Sequence, residues 1–277
     1  MRESSVRALL AGGGTAVNAW LSGDSPFFAE TLSHAGFDVV TVDLQHGMFG
    51  LDGALRLLQA ISAGPAEPFA RCPSHDPAII GKLLDAGAYG IICPGVDSVE
   101  DAAAFVAACR YPPVGRRSFG PARALLYGGA DYVDGADETV LTWAMIESAP
   151  ALEAVEEIVA TPGLDGVFVG PNDLALALGE RPGQVPAPAK VEEAWVRIVE
   201  AAHAAGIYAG SFCANGTVAA HLTTLGYDLV TPGSDAAHLR AGASAAIAAA
   251  RSSAAPASAG AGGAEGAGRS AEPESGY

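Results

Sequence analysis

The sequence predicts an α/β fold, a TIM-like (β/α)8 barrel in a single domain, and two observations carry that prediction. Short β-branched or apolar runs alternate eight times with segments of helical periodicity. Charged side chains recur where several of those runs give way to loops. The eight units occupy about 235 residues, close to the ~250 usual for such barrels. A doubly wound open sheet is the rival, but it needs a ligand loop at a switch point. The early cluster Gly12-Gly13-Gly14 precedes the first strand instead of following it, which favours the barrel.

The first run, residues 16–20, leads to a helix over 26–35, entered at Ser25-Pro26, where proline suits the first helical position. Residues 37–44 then precede a helix over 51–62, and 69–72 precede 77–86. Strand 90–96 precedes helix 99–110, and strand 140–146 precedes helix 151–160. Strand 166–169 is followed by a short helical turn and a helix over 191–205. Strand 207–212 precedes helix 218–225, and 229–231 precedes 236–250. Several helices run into glycine just before the next strand, at Gly36, Gly87, Gly206 and Gly226, where a left-handed C-cap carries no steric penalty.

Two segments break this rhythm. Residues 112–139 form a long stretch rich in Gly, Pro, Arg and Tyr, and a loop of that length is usually functional or lies at an interface. It is expected either to shape a substrate pocket through Arg123 or to pack against a neighbouring subunit. The barrel domain is placed at residues 1–251. Residues 252–277, almost wholly Ala, Gly, Ser, Pro and Glu, are expected to be a disordered, dispensable tail.

Half of the 277 residues are hydrophobic and 17% charged, so a sizeable core is expected. The net charge of −16 argues against nucleic acid or an anionic membrane as partner, since both attract excess Lys and Arg. No apolar stretch reaches the length of a membrane span, and the N-terminal run is too short and glycine-rich for a secretory leader. Cys72, Cys93, Cys109 and Cys213 show no metal-ligand spacing and read as small packed hydrophobes. A cytoplasmic protein is expected.

Four strand ends carry the chemistry. Glu147 closes the apolar run Leu141-Thr142-Trp143-Ala144-Met145-Ile146, where a carboxylate needs a partner or a task. It is either half of a salt bridge or, with Asp173, a ligand for a hard divalent cation, with other positions left to water and substrate. Asp173, in Gly170-Pro171-Asn172-Asp173-Leu174, also reads as a helix N-cap. The free N–H groups of that helix end suit a substrate carboxylate. His46, three residues after Asp43, is either structural or an acid–base group. Arg71 is either half of a buried ion pair or a cation for an anionic or enolate oxygen. The two lysines, Lys82 and Lys190, fall at no strand end, so Schiff-base chemistry is disfavoured and carbanion chemistry would need a metal as electron sink.

Taken together, Gly36-Phe37-Asp38, Asp43-Leu44-Gln45-His46-Gly47, Leu83-Leu84-Asp85-Ala86-Gly87-Ala88, Arg110-Tyr111-Pro112-Pro113-Val114-Gly115, Ile146-Glu147 and Val169-Gly170-Pro171-Asn172-Asp173-Leu174 resemble the HpcH/HpaI family of metal-dependent pyruvate aldolases. The similarity spans about residues 17–249. It implies a barrel assembled as a homohexamer with a helix exchanged between neighbours. It implies that Glu147 and Asp173 bind Mg2+, Mn2+ or Co2+, which chelates a 2-oxo acid. Backbone groups around Gly170, Asn172 and Asp173 would hold the substrate carboxylate, and Arg71 would stabilise the enolate. His46 would be the catalytic base, with Asp85 raising its basicity across a subunit boundary. The expected reaction is reversible cleavage of a 4-hydroxy-2-oxo acid to pyruvate or hydroxypyruvate plus an aldehyde. Oxaloacetate decarboxylation, a citrate-lyase-type CoA-ester lyase and a metal-stabilised binding barrel are the alternatives. Two departures from the family pattern, Met145 in place of a Gln and Gln45 in place of the commoner Glu, leave the donor open.

Overall fold

Side-chain alternation along the strands decides what this barrel contains, and the chain supplies it eight times over. The computed structural model describes residues 2–252. Helix α1 (Ser5–Ala11) precedes β1 (Ala16–Leu21), α2 (Pro26–Ser33), β2 (Val39–Asp43) and α3 (Leu51–Ile61). Then come β3 (Glu67–Arg71), α4 (Pro77–Asp85), β4 (Gly90–Cys93) and α5 (Val99–Cys109). Two short helices, α6 (Ala124–Gly128) and α7 (Tyr132–Thr139), lead to β5 (Leu141–Ile146), α8 (Ala149–Glu153) and α9 (Val155–Val159). After β6 (Gly166–Val169) follow α10 (Pro171–Ala177), α11 (Ala189–Ala204) and β7 (Tyr208–Cys213). The described chain ends with α12 (Gly216–Leu225), β8 (Leu229–Pro232) and α13 (Asp235–Ser252).

The strands are parallel and closed in the order β1 to β8. Closure is made by β8 pairing back on β1, with Ala16 opposite Leu229 and Val17 opposite Val230. Successive strand residues point to opposite faces. Val40, Val42, Ala70, Ile91, Ala144, Ile146 and Val167 therefore pack outward under the helices. Val39, Phe69, Ile92, Trp143, Met145 and Phe168 fill the interior. Gly166 is needed for that filling, because a Cβ there would lie 2.6 Å from the Trp143 ring. Asn18 bridges the interior by donating to the Thr231 hydroxyl and accepting from Thr41, both at 2.9 Å.

Helix α1 closes the N-terminal end of the barrel. Its Val6 and Leu10 join the inner cluster. The buried Glu67 carboxylate, at the start of β3, accepts from the Ser4 and Ser5 hydroxyls and the Val6 N–H. Burial raises the Glu67 pKa above its ordinary value against those hydrogen bonds.

The eight expected units are all present, and the four expected glycines adopt positive φ, from 75° at Gly206 to 103° at Gly226. Three differences have local causes. The helix expected at 151–160 is interrupted at Ala154 (φ −94°, ψ 11°), giving α8 and α9. Helix α1 is short and followed by Gly12-Gly13-Gly14, so it shows little periodicity. The 112–139 stretch holds α6 and α7, which pack Tyr111, Ala124, Tyr132 and Ala136 into a satellite core. All four cysteines are free and buried, in line with a packing role. Among the described residues no helix is long and apolar enough to cross a membrane. The disordered-tail expectation for 252–277 lies outside the described residues, save for Ser252 at the end of α13.

Candidate active site

Catalytic groups of such barrels come from the C-terminal ends of the strands, and parity decides which side chains point inward there. Thr41 and Phe69 are interior, so Asp43 and Arg71, two residues on, point into the mouth. Met145 is interior, so Glu147, the first residue after β5, does the same. Asp43 and Arg71 are directly paired in register. Arg71 Nε donates to Asp43 Oδ1 at 2.8 Å and Nη2 donates to Oδ2 at 2.6 Å. The Trp20 indole N–H also donates to Oδ2, at 3.1 Å, and its ring lies 4.9 Å below the guanidinium carbon. Asp43 Oδ1 further accepts from the backbone N–H groups of Gln45 and His46, shaping the loop that carries His46. Burial pushes the Asp43 pKa up, but the Arg71 guanidinium and the N–H donors outweigh it, so the carboxyl is held below its ordinary value.

Of the two readings of Arg71, the structure shows the buried ion pair, which uses only part of the guanidinium. Nε and Nη2 are committed to Asp43, while Nη1 makes no hydrogen bond among the described residues. Asp43 was visible in the sequence only as a neighbour of His46. Its position at the end of an otherwise apolar strand was the signal for a larger role.

Glu147 is not the salt bridge that its bland reading required. Its Oε1 accepts the Gly95 N–H at 2.8 Å, and among the described residues no cationic side chain bonds it directly. Burial raises its pKa above the ordinary glutamate value. The Gly95 N–H opposes that shift, Asp173 and Asp97 add to it, and Arg71 counters it. Its other oxygen, Oε2, lies over Gly170, where a Cβ would come within 2.6 Å. Gly170 is the cap of α10 and Asp173 stands in that helix's first turn, so the helix entry holds with the cap moved from Asp173 to Gly170. Two carboxylates, Asp173 adding to the cost of charge on Glu147, offer only hard oxygen donors and fit a small divalent cation that keeps open positions. Among the described residues no group of three or more His, Cys, Asp and Glu side chains is gathered for a metal.

His46 is exposed at the mouth, and its ring makes no hydrogen bond among the described residues. Gln45 Oε1 is buried without a partner among the same residues. Met145 lies one layer beneath Glu147, 1% exposed. Asp85 is not brought to His46 within one chain. It ends α4, just ahead of β4, at the opposite end of the barrel, where Arg117 donates to it at 2.8 Å. Arg117 is itself held under Tyr111 and Tyr132. Arg123 is at that end too: it donates to the carbonyls of Ala86 and Leu58 and to the Ser62 hydroxyl, and stacks on Tyr127. It thus covers the C-terminal ends of α3 and α4. The contacts that Arg117 and Arg123 make within their own chain therefore lie away from the mouth.

Known proteins resemble this chain in sequence and in fold. The sequence model of the HpcH/HpaI aldolase/citrate lyase family matches residues 17–241. The chain is 44% identical over 239 residues to a hydroxypyruvate/pyruvate aldolase of Rhizorhabdus wittichii, covering 86% of this chain and 95% of that protein. It is 38% identical to a 4-hydroxy-2-oxovalerate aldolase of Rhodococcus jostii, covering 89% and 95%. A crystal structure of an HpcH/HpaI aldolase/citrate lyase family protein from Burkholderia cenocepacia superposes with a TM-score of 0.84 at 34% identity, covering 90% of this chain and all of that one.

Proposed function

The chain belongs to the HpcH/HpaI aldolase/citrate lyase family and is a carbon–carbon lyase; on that premise we propose that it is a divalent-metal-dependent aldolase. It would reversibly cleave a 4-hydroxy-2-oxo acid to pyruvate or hydroxypyruvate plus an aldehyde. The observation that carries this reading is Glu147: an inward carboxylate, burdened by burial and by Asp173, with one oxygen steadied by Gly95 and the other left over Gly170. The names of its relatives, hydroxypyruvate/pyruvate aldolase among them, support the two donors.

Glu147 and Asp173 would hold Mg2+, Mn2+ or Co2+. When bound, such a cation supplies electrophilic stabilisation for negative charge on the 2-oxo oxygen. The first turn of α10 presents backbone N–H groups without intrahelical partners, and those at Asn172 and Asp173, beside Gly170, hold the substrate carboxylate. Breaking the C3–C4 bond leaves its electron pair to delocalise toward the 2-oxo oxygen as an enolate. Arg71 faces that charge with its uncommitted Nη1, its plane fixed by Asp43 and Trp20. His46 takes the proton from the 4-hydroxyl in cleavage, and the enolate becomes pyruvate by taking a proton from solvent at C3; synthesis runs these steps in reverse. Losing such a base costs on the order of 10²–10⁴ in rate.

A homohexamer is part of the same proposal. Helix α13 has no buried residue in the single chain and leaves Leu239 62% and Ile247 51% exposed, which supports its exchange onto a neighbour. Asp85 can serve His46 only from another subunit. The substrates are small anions and aldehydes, and a cytoplasmic setting fits them.

The test is retro-aldol turnover of a 4-hydroxy-2-oxo acid, coupled to reduction of the pyruvate released. It is run before and after chelator treatment, with Mn2+ added back, and repeated with Glu147→Ala. Loss and metal-dependent recovery are expected for the native chain. Full activity after metal stripping, or in Glu147→Ala, overturns the proposal.

A further inference from the structure

The loop after β4 reaches the mouth and touches Glu147, and a histidine outside the assigned machinery holds that loop. His75, in the loop after β3, places Nε2 2.7 Å from the Pro94 carbonyl oxygen. A carbonyl only accepts, so Nε2 carries the proton and donates. Its Nδ1 lies 3.9 Å from Asp101 Oδ1, beyond hydrogen-bond reach. The next N–H along the chain, that of Gly95, is the donor to Glu147 Oε1.

The Pro94 carbonyl and the Gly95 N–H belong to one peptide unit. That unit is trans, so its C=O and N–H point in opposite directions, one toward His75 and the other toward Glu147. Gly95 has φ +63°, a conformation that glycine accepts without strain. Donation into the carbonyl fixes the plane of the amide and, by polarising it, strengthens its N–H as a donor. The same loop grips the strand end a second time, because the Ser148 hydroxyl donates to Asp97 Oδ1 at 2.5 Å. Asp97 is tied back through its N–H to Asp101 Oδ2, which also accepts from the Ser98 hydroxyl.

We propose that His75 is a positioning residue for Glu147, acting through the single peptide unit between Pro94 and Gly95, so that Glu147 offers Oε2 to the cation in a fixed orientation. This rests on the metal-aldolase reading of the site. Groups that orient metal ligands from behind typically contribute about 10–100-fold in metal affinity. The His75 ring bonds the Pro94 carbonyl and not Glu147, so it acts on Glu147 through that peptide.

The experiment titrates full-length protein with Mn2+, following free ion by electron paramagnetic resonance. It compares the native chain with His75→Ala, His75→Asn and His75→Gln, alongside kcat, KM and thermal midpoints. A glutamine amide nitrogen matches the reach of Nε2, whereas asparagine is too short. The expected result is an Mn2+ Kd raised roughly tenfold or more in His75→Ala and His75→Asn, lower kcat at saturating metal, and recovery in His75→Gln. Unchanged Mn2+ affinity in His75→Ala overturns the inference while leaving the metal-aldolase reading intact. Equal loss in all three variants, tracking their thermal midpoints, overturns it in favour of plain loop stability. A native chain that binds no Mn2+ overturns the metal-aldolase reading first and this inference with it.

Discussion

Replacing Asp43 with alanine isolates the contact that organises the mouth. The substitution deletes both carboxylate acceptors of Arg71, at 2.8 and 2.6 Å, the acceptor of the Trp20 indole, and the two backbone caps that shape the His46 loop. The pair is well buried, with side chains 10% and 2% exposed. Removing one partner of a buried ion pair strands the other and costs about 3–5 kcal/mol. Some water reaches Arg71, which argues for the lower end, ~3 kcal/mol. At about 2–4 °C per kcal/mol for a domain of this size, the midpoint should fall by about 6–12 °C. Arg71 freed from its plane no longer aims Nη1, so kcat should fall about 10²-fold, in the range for a misplaced positioning group. The assay is thermal and urea unfolding combined with retro-aldol kinetics for Asp43→Ala, Arg71→Met and the double variant. Coupling of well over 1 kcal/mol is expected, because the double variant leaves no stranded charge. Additive effects, or a loss below about 1 kcal/mol for Asp43→Ala, would refute the assignment of the pair as organiser.

Acid should dissolve the same pair. The folded Asp43 pKa lies below its ordinary value, so the unfolded chain takes up the proton first. The stability that Asp43→Asn lacks should be whole above about pH 5, shrink below the ordinary aspartate range of about 3.9, and vanish as pH falls through the folded value. Midpoints of the two proteins across pH 3–7 measure it, and a constant gap would contradict it. Gly170→Ala should weaken Mn2+ binding and activity and also lower the thermal midpoint, and unchanged Mn2+ affinity would contradict it. Its φ of −90° suits any residue, but the added Cβ would lie 2.6 Å from Glu147 Oε2 and 2.9 Å from the Glu147 Cβ, so the whole Glu147 side chain must move. Arg123→Ala should cost about 1–2 kcal/mol, read by urea unfolding, through loss of cover at the ends of α3 and α4. An equally stable Arg123→Ala would show those contacts to be incidental.

Much of this molecule was legible before folding was considered, because the signals are local. Strands and helices announce themselves by period, and proline and glycine mark their ends. Charged side chains at the ends of apolar strands, where such barrels place their chemistry, stood out in the sequence. That made Arg71 and Glu147 readable as site residues. Helix α1 and the helices at 124–128 and 132–139 were not readable, because short helices among glycines carry too few repeats to show a period.

The barrel, its eight units and the polar side chains at the strand ends were already written in the order of residues. How those side chains are paired was settled by folding. It joined Arg71 to Asp43, gave Glu147 to Gly95 and placed His75 behind that peptide. It also carried Asp85 and Arg123 to the far end of the barrel. The physical reason is that periodicity is a property of neighbours along the chain. Pairing depends instead on register between strands and on the antiparallel return of each helix, and both exist only once β8 has closed on β1.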